Sequence, residues 1–117
     1  MNILDSKKID GELTKVELYK ATKGDMISIK DVEDDTVINV IGYVEFEDTN
    51  KKTGENNQIL SLIADDGKIY ATQSITFKEN FFDMFEMFEE DVEFLPVIKT
   101  SGLTKADRPF VNCKLAL

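Results

Sequence analysis

Aromatic side chains and cations are the residues of this sequence that could bind a ligand. Tyr43 and Tyr70 fall on predicted strand faces that also carry polar side chains, and Phe77 lies at the start of a predicted helix. A tyrosine suits a half-wet surface because its ring offers a stacking face while its hydroxyl stays hydrated. Stacking on such rings is how proteins hold the bases of single-stranded nucleic acid. The alternative for each ring is a place in or beside the hydrophobic core, which is more common for a phenylalanine.

Cations complete this candidate site because they supply charge for phosphates. They fall in predicted loops or beside a predicted strand, and they are Lys51, Lys52, Lys68, Lys78, Lys105 and Arg108. Any one surface lysine is more often present for solubility, so the prediction depends on their joint placement. A groove that combines cations with aromatic rings binds a single strand without reading its sequence.

Residues for catalysis or metal binding are scarce. The sequence has no histidine, and its one cysteine, Cys113, has no evident base nearby. It has no phosphate-cradling loop, no zinc ligand set and no EF-hand pattern. The acidic pairs Asp34–Asp35 and Asp65–Asp66 could bind a divalent cation, but their positions are typical of turns. We therefore predict a protein that is not an enzyme and that uses neither a cofactor nor a metal.

The net charge of -9 is the main objection to a nucleic-acid partner. An acidic surface repels nucleic acid at long range. The acidic residues nevertheless crowd into residues 79–93, whereas most of the candidate cations lie elsewhere in the chain. Charges more than about 8 Å apart are largely screened at physiological salt. The total charge therefore argues only weakly against this partner.

The composition predicts one globular domain in a reducing compartment. A chain of 117 residues with 42% hydrophobic content matches a single domain. The sequence shows neither an N-terminal signal peptide nor an apolar window of about 18 residues, the length that spans a membrane. A lone cysteine rules out an intrachain disulfide. We expect a cytoplasmic protein without membrane contact.

Strand patterns dominate the chain between Thr36 and Ser74. The longest predicted strand runs from Thr36 to Glu47, and its alternation puts Ile38, Val40, Val44 and Phe46 on one core face. Gly42 interrupts this strand, as glycines do at bulges and barrel bends. Shorter strands are predicted at residues 15–20, 58–64, 68–74, 91–99 and 110–115. Residues 1–14 are predicted to form a loosely ordered arm, and residues 15–117 a single domain.

One helix is predicted between the strand at residues 68–74 and the strand at residues 91–99. Thr76 and Glu79 fit a capping box, and an apolar stripe follows at Phe81, Met84, Phe85 and Phe88. Three strands, a helix and two further strands is the order of an OB-fold, a five-stranded Greek-key barrel. We therefore predict a mainly β protein with this fold and one capping helix, with an SH3-like or other small barrel as the alternative.

Three stretches resemble the single-stranded DNA-binding proteins of phages that infect Gram-positive bacteria. They are LYKATKGDMISIKDVEDDTVINV (18–40), TGE (53–55) and LIADDGKIYATQS (62–74), which together cover roughly residues 16 to 75. The resemblance implies an OB-fold that coats single strands during phage replication, in the cytoplasm of the host. It assigns no contact residue, so the candidate site rests on the aromatic and basic residues named above.

The leading hypothesis is a sequence-independent single-stranded DNA-binding protein that protects DNA during replication or recombination. Its partners would be single-stranded DNA and replication or recombination proteins. A homo-oligomer fits as well, because one OB-fold grips only about 4–16 nucleotides. The rival hypothesis is an acidic protein-binding module, such as a phage inhibitor that mimics DNA, which the net charge of -9 favours.

Overall fold

Seven strands and two α-helices make up the computed structural model, which describes residues 1–116. In chain order they are β1 (Asn2–Lys8), α1 (Lys15–Lys23), β2 (Ile27–Ser28), a 3₁₀ turn (Ile29–Asp31), β3 (Val37–Thr49), β4 (Asn56–Ala64), β5 (Ile69–Thr72), α2 (Ile75–Phe88), β6 (Leu95–Leu103) and β7 (Pro109–Leu115). The protein is mainly β, as the sequence predicts. Neither helix in the described part of the chain is long and apolar enough to cross a membrane.

All seven strands join one curled sheet in the order β2-β5-β4-β3-β6-β7, and β1 pairs with β3 beside β6. Every pair is antiparallel except β2 with β5. This half-barrel is consistent with an OB-like barrel, although the sequence predicted five strands and the sheet has seven. Because β2 and β7 are the two ends of this order, the barrel stays open between them.

A bulge in β3 lets both faces of this strand become buried. Val40 pairs with Ala64 and Gly42 with Ile63, so Ile41 has no partner in β4. The extra residue reverses the alternation. Before the bulge, Ile38 and Val40 point into the main core against α2. After the bulge, Tyr43 points into this same core. Val44 and Phe46 point to the opposite face of the sheet, into a second core. The prediction that Ile38, Val40, Val44 and Phe46 share one face was wrong for this reason.

Helix α2 covers the main core and bridges the open side of the barrel. Its phenylalanines Phe77, Phe81 and Phe85 are buried beneath the sheet. Contacts to β7 come from Asn80, which donates to Asn112 Oδ1 (2.6 Å), and from Ser74, whose Oγ donates to Val111 O (2.8 Å). Ser74 also caps the helix by accepting from the Phe77 amide. The predicted capping box at Thr76 is therefore wrong, because the N-cap residue is Ser74, two residues earlier, and the helix begins at Ile75.

Helix α1 occupies residues that the sequence predicted as a strand. Thr14 and Glu17 form a capping box, in which each side chain accepts from the other residue's backbone amide. Leu18 and Ala21 then fall on one side of the helix and pack against the second core. The alternation at residues 15–20 was misleading because the cap, rather than period-two hydrophobicity, determines the local structure here.

Strand β1 lies within residues 1–14, which the sequence predicts to form a loosely ordered arm. It pairs with β3 from Asn2 to Lys8, and the Tyr43 hydroxyl donates to Asp5 Oδ2 (2.8 Å). Gly42 permits this pairing, because a Cβ at this position would lie 2.8 Å from Lys7 O. The division of the chain at residue 14 stays a prediction.

Gly42→Ala should lower the free energy of unfolding by about 1–3 kcal/mol, the usual cost of overpacking. The added methyl group would displace β1 at Lys7. Urea denaturation measures the loss. In a chain that lacks residues 1–8 the same substitution should cost little, and an equal cost in both chains would contradict this role of Gly42.

A buried ammonium fixes the loop before β3 to β6. Lys99 is 4% exposed, and its Nζ donates to Val32 O (2.7 Å) and Asp34 Oδ1 (2.8 Å). Ser101 Oγ donates to the same carboxylate oxygen (2.7 Å). The hydrogen bonds from Lys99 and then Ser101 hold the pKa of Asp34 below its usual value of 3.8. The ionised carboxylate therefore stabilises the folded state.

Asp34→Asn should lower Tm at pH 7, because the substitution removes the negative partner of the buried Lys99 ammonium. A lowered folded pKa contributes stability above the unfolded pKa, and this stability is lost as the pH falls. The Tm difference from the wild type should therefore shrink below pH 3.8. Thermal melts across pH measure it, with Glu33→Gln as the control. A difference that is independent of pH would contradict the ionic role.

Candidate nucleic-acid interface

A groove runs along the open side of the barrel, between the β2–β5 edge and β7. Its two sections share Lys30, Ser74 and Val111. The inner section is also lined by Met26, Ser28, Ile59 and residues 71–73, and the outer section by Asp31, Ser101, Pro109 and Phe110. We call the whole the open-edge groove. The hydrogen bond from Ser74 to Val111 crosses the gap and fixes the two walls relative to each other.

The open-edge groove combines an apolar floor with one cation and one aromatic ring. Ile59, Ala71 and Val111 supply the apolar surface. Lys30 is exposed at the junction of the two sections, and Phe110 is half-buried in the outer section. This combination can hold a base by stacking and a phosphate by charge. Asp31 is the acidic residue that lines it.

The ring of Phe110 is positioned by a glycine across the hairpin. Phe110 pairs with Gly102 of β6, and a Cβ at Gly102 would lie 2.6 Å from Phe110 Cζ. The ring therefore rests against the bare backbone of Gly102, an arrangement known for edge glycines paired with aromatic residues. Because its position is fixed before a ligand arrives, stacking on it needs little further ordering.

Four of the predicted cations lie in two exposed loops next to strands that line the groove. Lys51 and Lys52 belong to the β3–β4 loop, and Lys105 and Arg108 to the β6–β7 loop. Arg108 immediately precedes Pro109, which is part of the groove wall. The first loop leads into β4, the strand that supplies Ile59. All four therefore lie in loops between strands, and their contact with a ligand stays a prediction.

The remaining two predicted cations differ in exposure. Lys68 is exposed in the β4–β5 turn, with its Nζ 4.0 Å from Asp66 Oδ2. Lys78 is only 7% exposed, and its Nζ donates to Gln58 O (3.4 Å). The prediction of a phosphate contact at Lys78 is therefore corrected, because its ammonium is directed to the backbone of β4.

Two of the three predicted stacking residues belong to the core. Tyr43 is 3% exposed and Phe77 is fully buried. The ring of Tyr43 meets those of Phe81, Phe82 and Phe85 edge-on, with centroids 5.0–5.6 Å apart. Burial, reinforced by the Asp5 carboxylate, raises the pKa of the Tyr43 hydroxyl. Neither ring offers a face to a base, so both predictions are corrected. For Tyr43 the cause is the bulge in β3.

Tyr70 is the one predicted stacking residue that is not fully buried. It is half-buried in β5 opposite Leu62, and it packs against the main core. It lies next to Ala71, which lines the open-edge groove. Its role in stacking stays a prediction.

Sequence reasoning missed Lys30 and Phe110. Lys30 stands before an acidic turn, and only the folding of the 3₁₀ turn beside β5 brings it into the groove. Phe110 did carry a signal, because the run Arg108-Pro109-Phe110 places a cation and an aromatic ring together at the end of a loop. In residues 1–116 no group of three or more acidic, histidine or cysteine side chains could hold a metal ion.

Phe110→Ala should weaken binding to oligo-dT by about 1–3 kcal/mol, the usual contribution of one stacked base. Gly102→Ala should also weaken binding, because its methyl group would displace the ring. Fluorescence anisotropy with labelled oligo-dT measures both. Phe94→Ala removes an exposed phenylalanine outside the groove and is the control. Equal affinities for all three variants and the wild type would remove Phe110 from the site.

A sequence model of the family described as phage single-stranded DNA-binding protein (Phi29 type) matches residues 4–116. The match covers nearly the whole chain, including both helices and every strand from β2 to β7. No curated protein matches the chain, and no solved structure does. The match includes the open-edge groove and the two basic loops.

Proposed function

The chain belongs to the phage single-stranded DNA-binding protein family, and we propose that it coats and protects single-stranded DNA during phage replication or recombination. Membership over residues 4–116 is the observation that carries this proposal. The protein would bind regardless of sequence, on an OB-type Greek-key barrel, in the host cytoplasm. It would act by binding alone, without catalysis and without a cofactor.

The open-edge groove supplies the two interactions that sequence-independent binding needs. Lys30 would contact a phosphate inside the groove, and the cations of the β3–β4 and β6–β7 loops would hold the strand outside it. Phe110 would stack one base in the groove, and Tyr70, which is half-buried in β5 outside the groove lining, is proposed to stack another. Phosphate contacts carry no sequence information, and every base has a stacking face. The proposed contacts therefore favour any single strand over a particular sequence.

The acidic surplus is concentrated on α2 and the turn that follows it. Six exposed carboxylates lie there, at Glu79, Asp83, Glu86, Glu90, Asp91 and Glu93. The exposed loop cations Lys51, Lys52, Lys105 and Arg108 belong to other elements. Repulsion from exposed carboxylates fades over about 8 Å at physiological salt. Single-stranded DNA bound along these loops can therefore be attracted electrostatically by the local cations, although the net charge of the protein is negative.

Lys51→Gln combined with Lys52→Gln should weaken binding to oligo-dT and flatten its dependence on salt. For single strands log K falls with log salt by about 0.7 per phosphate contact, so loss of two contacts lowers the slope by about 1.4. Anisotropy titrations at several salt concentrations measure the slope. Lys7→Gln, which removes a cation beside Glu89 (3.5 Å), is the matched control. An unchanged slope would remove this loop from the site.

An acidic protein-binding module is the second candidate, and the exposed face of α2 favours it. Met87 is 71% exposed there among the carboxylates. The same titration separates the two functions, because a wild-type protein that binds no oligo-dT at low salt would overturn the first. Replication proteins and further copies of the chain are proposed as additional partners. A linked array of copies would raise affinity through avidity.

A further inference from the structure

The outer face of α1 carries three lysines and an exposed aromatic ring. Lys15, Tyr19 and Lys23 follow one another at intervals of four residues, so they form one row along the helix. Val16 and Lys20 form a parallel row beside it. Tyr19 is 64% exposed and Val16 62% exposed. We call these five residues the α1 face.

The α1 face is held rigidly on the sheet. Ala21 is fully buried, and its carbonyl oxygen accepts from Ser61 Oγ (2.6 Å) of β4. The Thr14–Glu17 capping box fixes the start of the helix. None of these contacts involves the side chain of Lys15, Tyr19, Lys20 or Lys23. The exposed side chains are therefore presented from a fixed backbone, and within residues 1–116 the Tyr19 ring pairs with no other aromatic ring.

The α1 face is positively charged on a protein whose net charge is -9. Glu17 is the one carboxylate of the helix, and Lys8 Nζ pairs with it at 3.1 Å. Lys15, Lys20 and Lys23 form no ion pair with any residue between 1 and 116. Lysines in the last turn of a helix also stabilise it by interacting with the helix dipole. That effect does not account for an exposed tyrosine between them.

A groove connects the α1 face to the open-edge groove. It lies between the end of α1 and the β4–β5 turn, where Lys20, Lys68, Ile27 and Met26 line it together with Asp25. Met26 also lines the open-edge groove. A DNA strand that leaves the open-edge groove past Met26 would therefore pass Lys68 and Lys20 before it reaches Tyr19.

We propose that the α1 face is a second contact surface for single-stranded DNA, continuous with the open-edge groove. Tyr19 stacks one base, and Lys15, Lys20 and Lys23 contact phosphates on either side of it. A duplex would not use Tyr19 in this way, because its bases are already stacked on one another. This inference rests on the proposed function and extends its site by the length of α1.

Tyr19→Ala tests the inference through its dependence on oligonucleotide length. On oligo-dT of about 16 nucleotides, the upper limit for one OB-fold, the affinity should fall about 5- to 150-fold. On oligo-dT of about 6 nucleotides, which the open-edge groove alone can hold, the affinity should not change. Tyr19→Phe keeps the ring and should restore wild-type affinity. The combination Lys15→Gln, Lys20→Gln and Lys23→Gln should lower the salt slope by about 2.

Two controls and the wild type separate the outcomes. Met87→Ala removes another exposed apolar side chain, and Lys7→Gln another exposed cation, so both should bind like the wild type. If the wild type binds oligo-dT but Tyr19→Ala binds equally well at every length, this inference is overturned and the proposed function stands. Equal losses in the variants and the controls would also overturn it. A wild type that binds no oligo-dT overturns the proposed function itself.

Discussion

The bulge in β3 is the constraint on which the rest of the structure depends. A strand of thirteen residues at the centre of the sheet must serve two hydrophobic cores, and the unpaired Ile41 lets it do so by reversing its faces. Ile38 and Val40 meet α2 on one side, and Val44 and Phe46 meet α1 on the other. Beside the bulge, Gly42 leaves room for the backbone of β1. Both helices and the N-terminal strand are placed by this one irregularity.

The open side of the barrel follows from how the sheet ends. β2 contributes only two residues, and β7 pairs on one side with β6, so the remaining gap is bridged by α2 through Ser74 and Asn80. Side-chain hydrogen bonds, rather than pairing between strands, bridge this gap. That leaves an apolar floor accessible, and Lys30 and Phe110 stand along it. The gap between β2 and β7 therefore also supplies the surface on which single-stranded DNA could lie.

Charge is separated across the molecule in a way that its total conceals. Exposed carboxylates accumulate on α2, whereas α1 and two loops carry exposed cations. At physiological salt a ligand responds to charges within about 8 Å, so the local sign governs contact more than the sum does. Family membership and an acidic sequence are therefore compatible.

The sequence by itself determined the mainly β class, the long central strand, the phenylalanine helix and the family, because these depend on local periodicity and on motifs. It placed Lys51, Lys52, Lys105 and Arg108 in exposed loops for the same reason. Only the tertiary structure decided which aromatic rings face water. One unpaired residue in β3 put Tyr43 in the core, and contacts distant in sequence brought Lys30 and Phe110 to one groove. The alternation of apolar and polar residues predicts which face of a sheet a side chain lies on only while the strand has no bulge. One extra residue moves every following side chain to the other face.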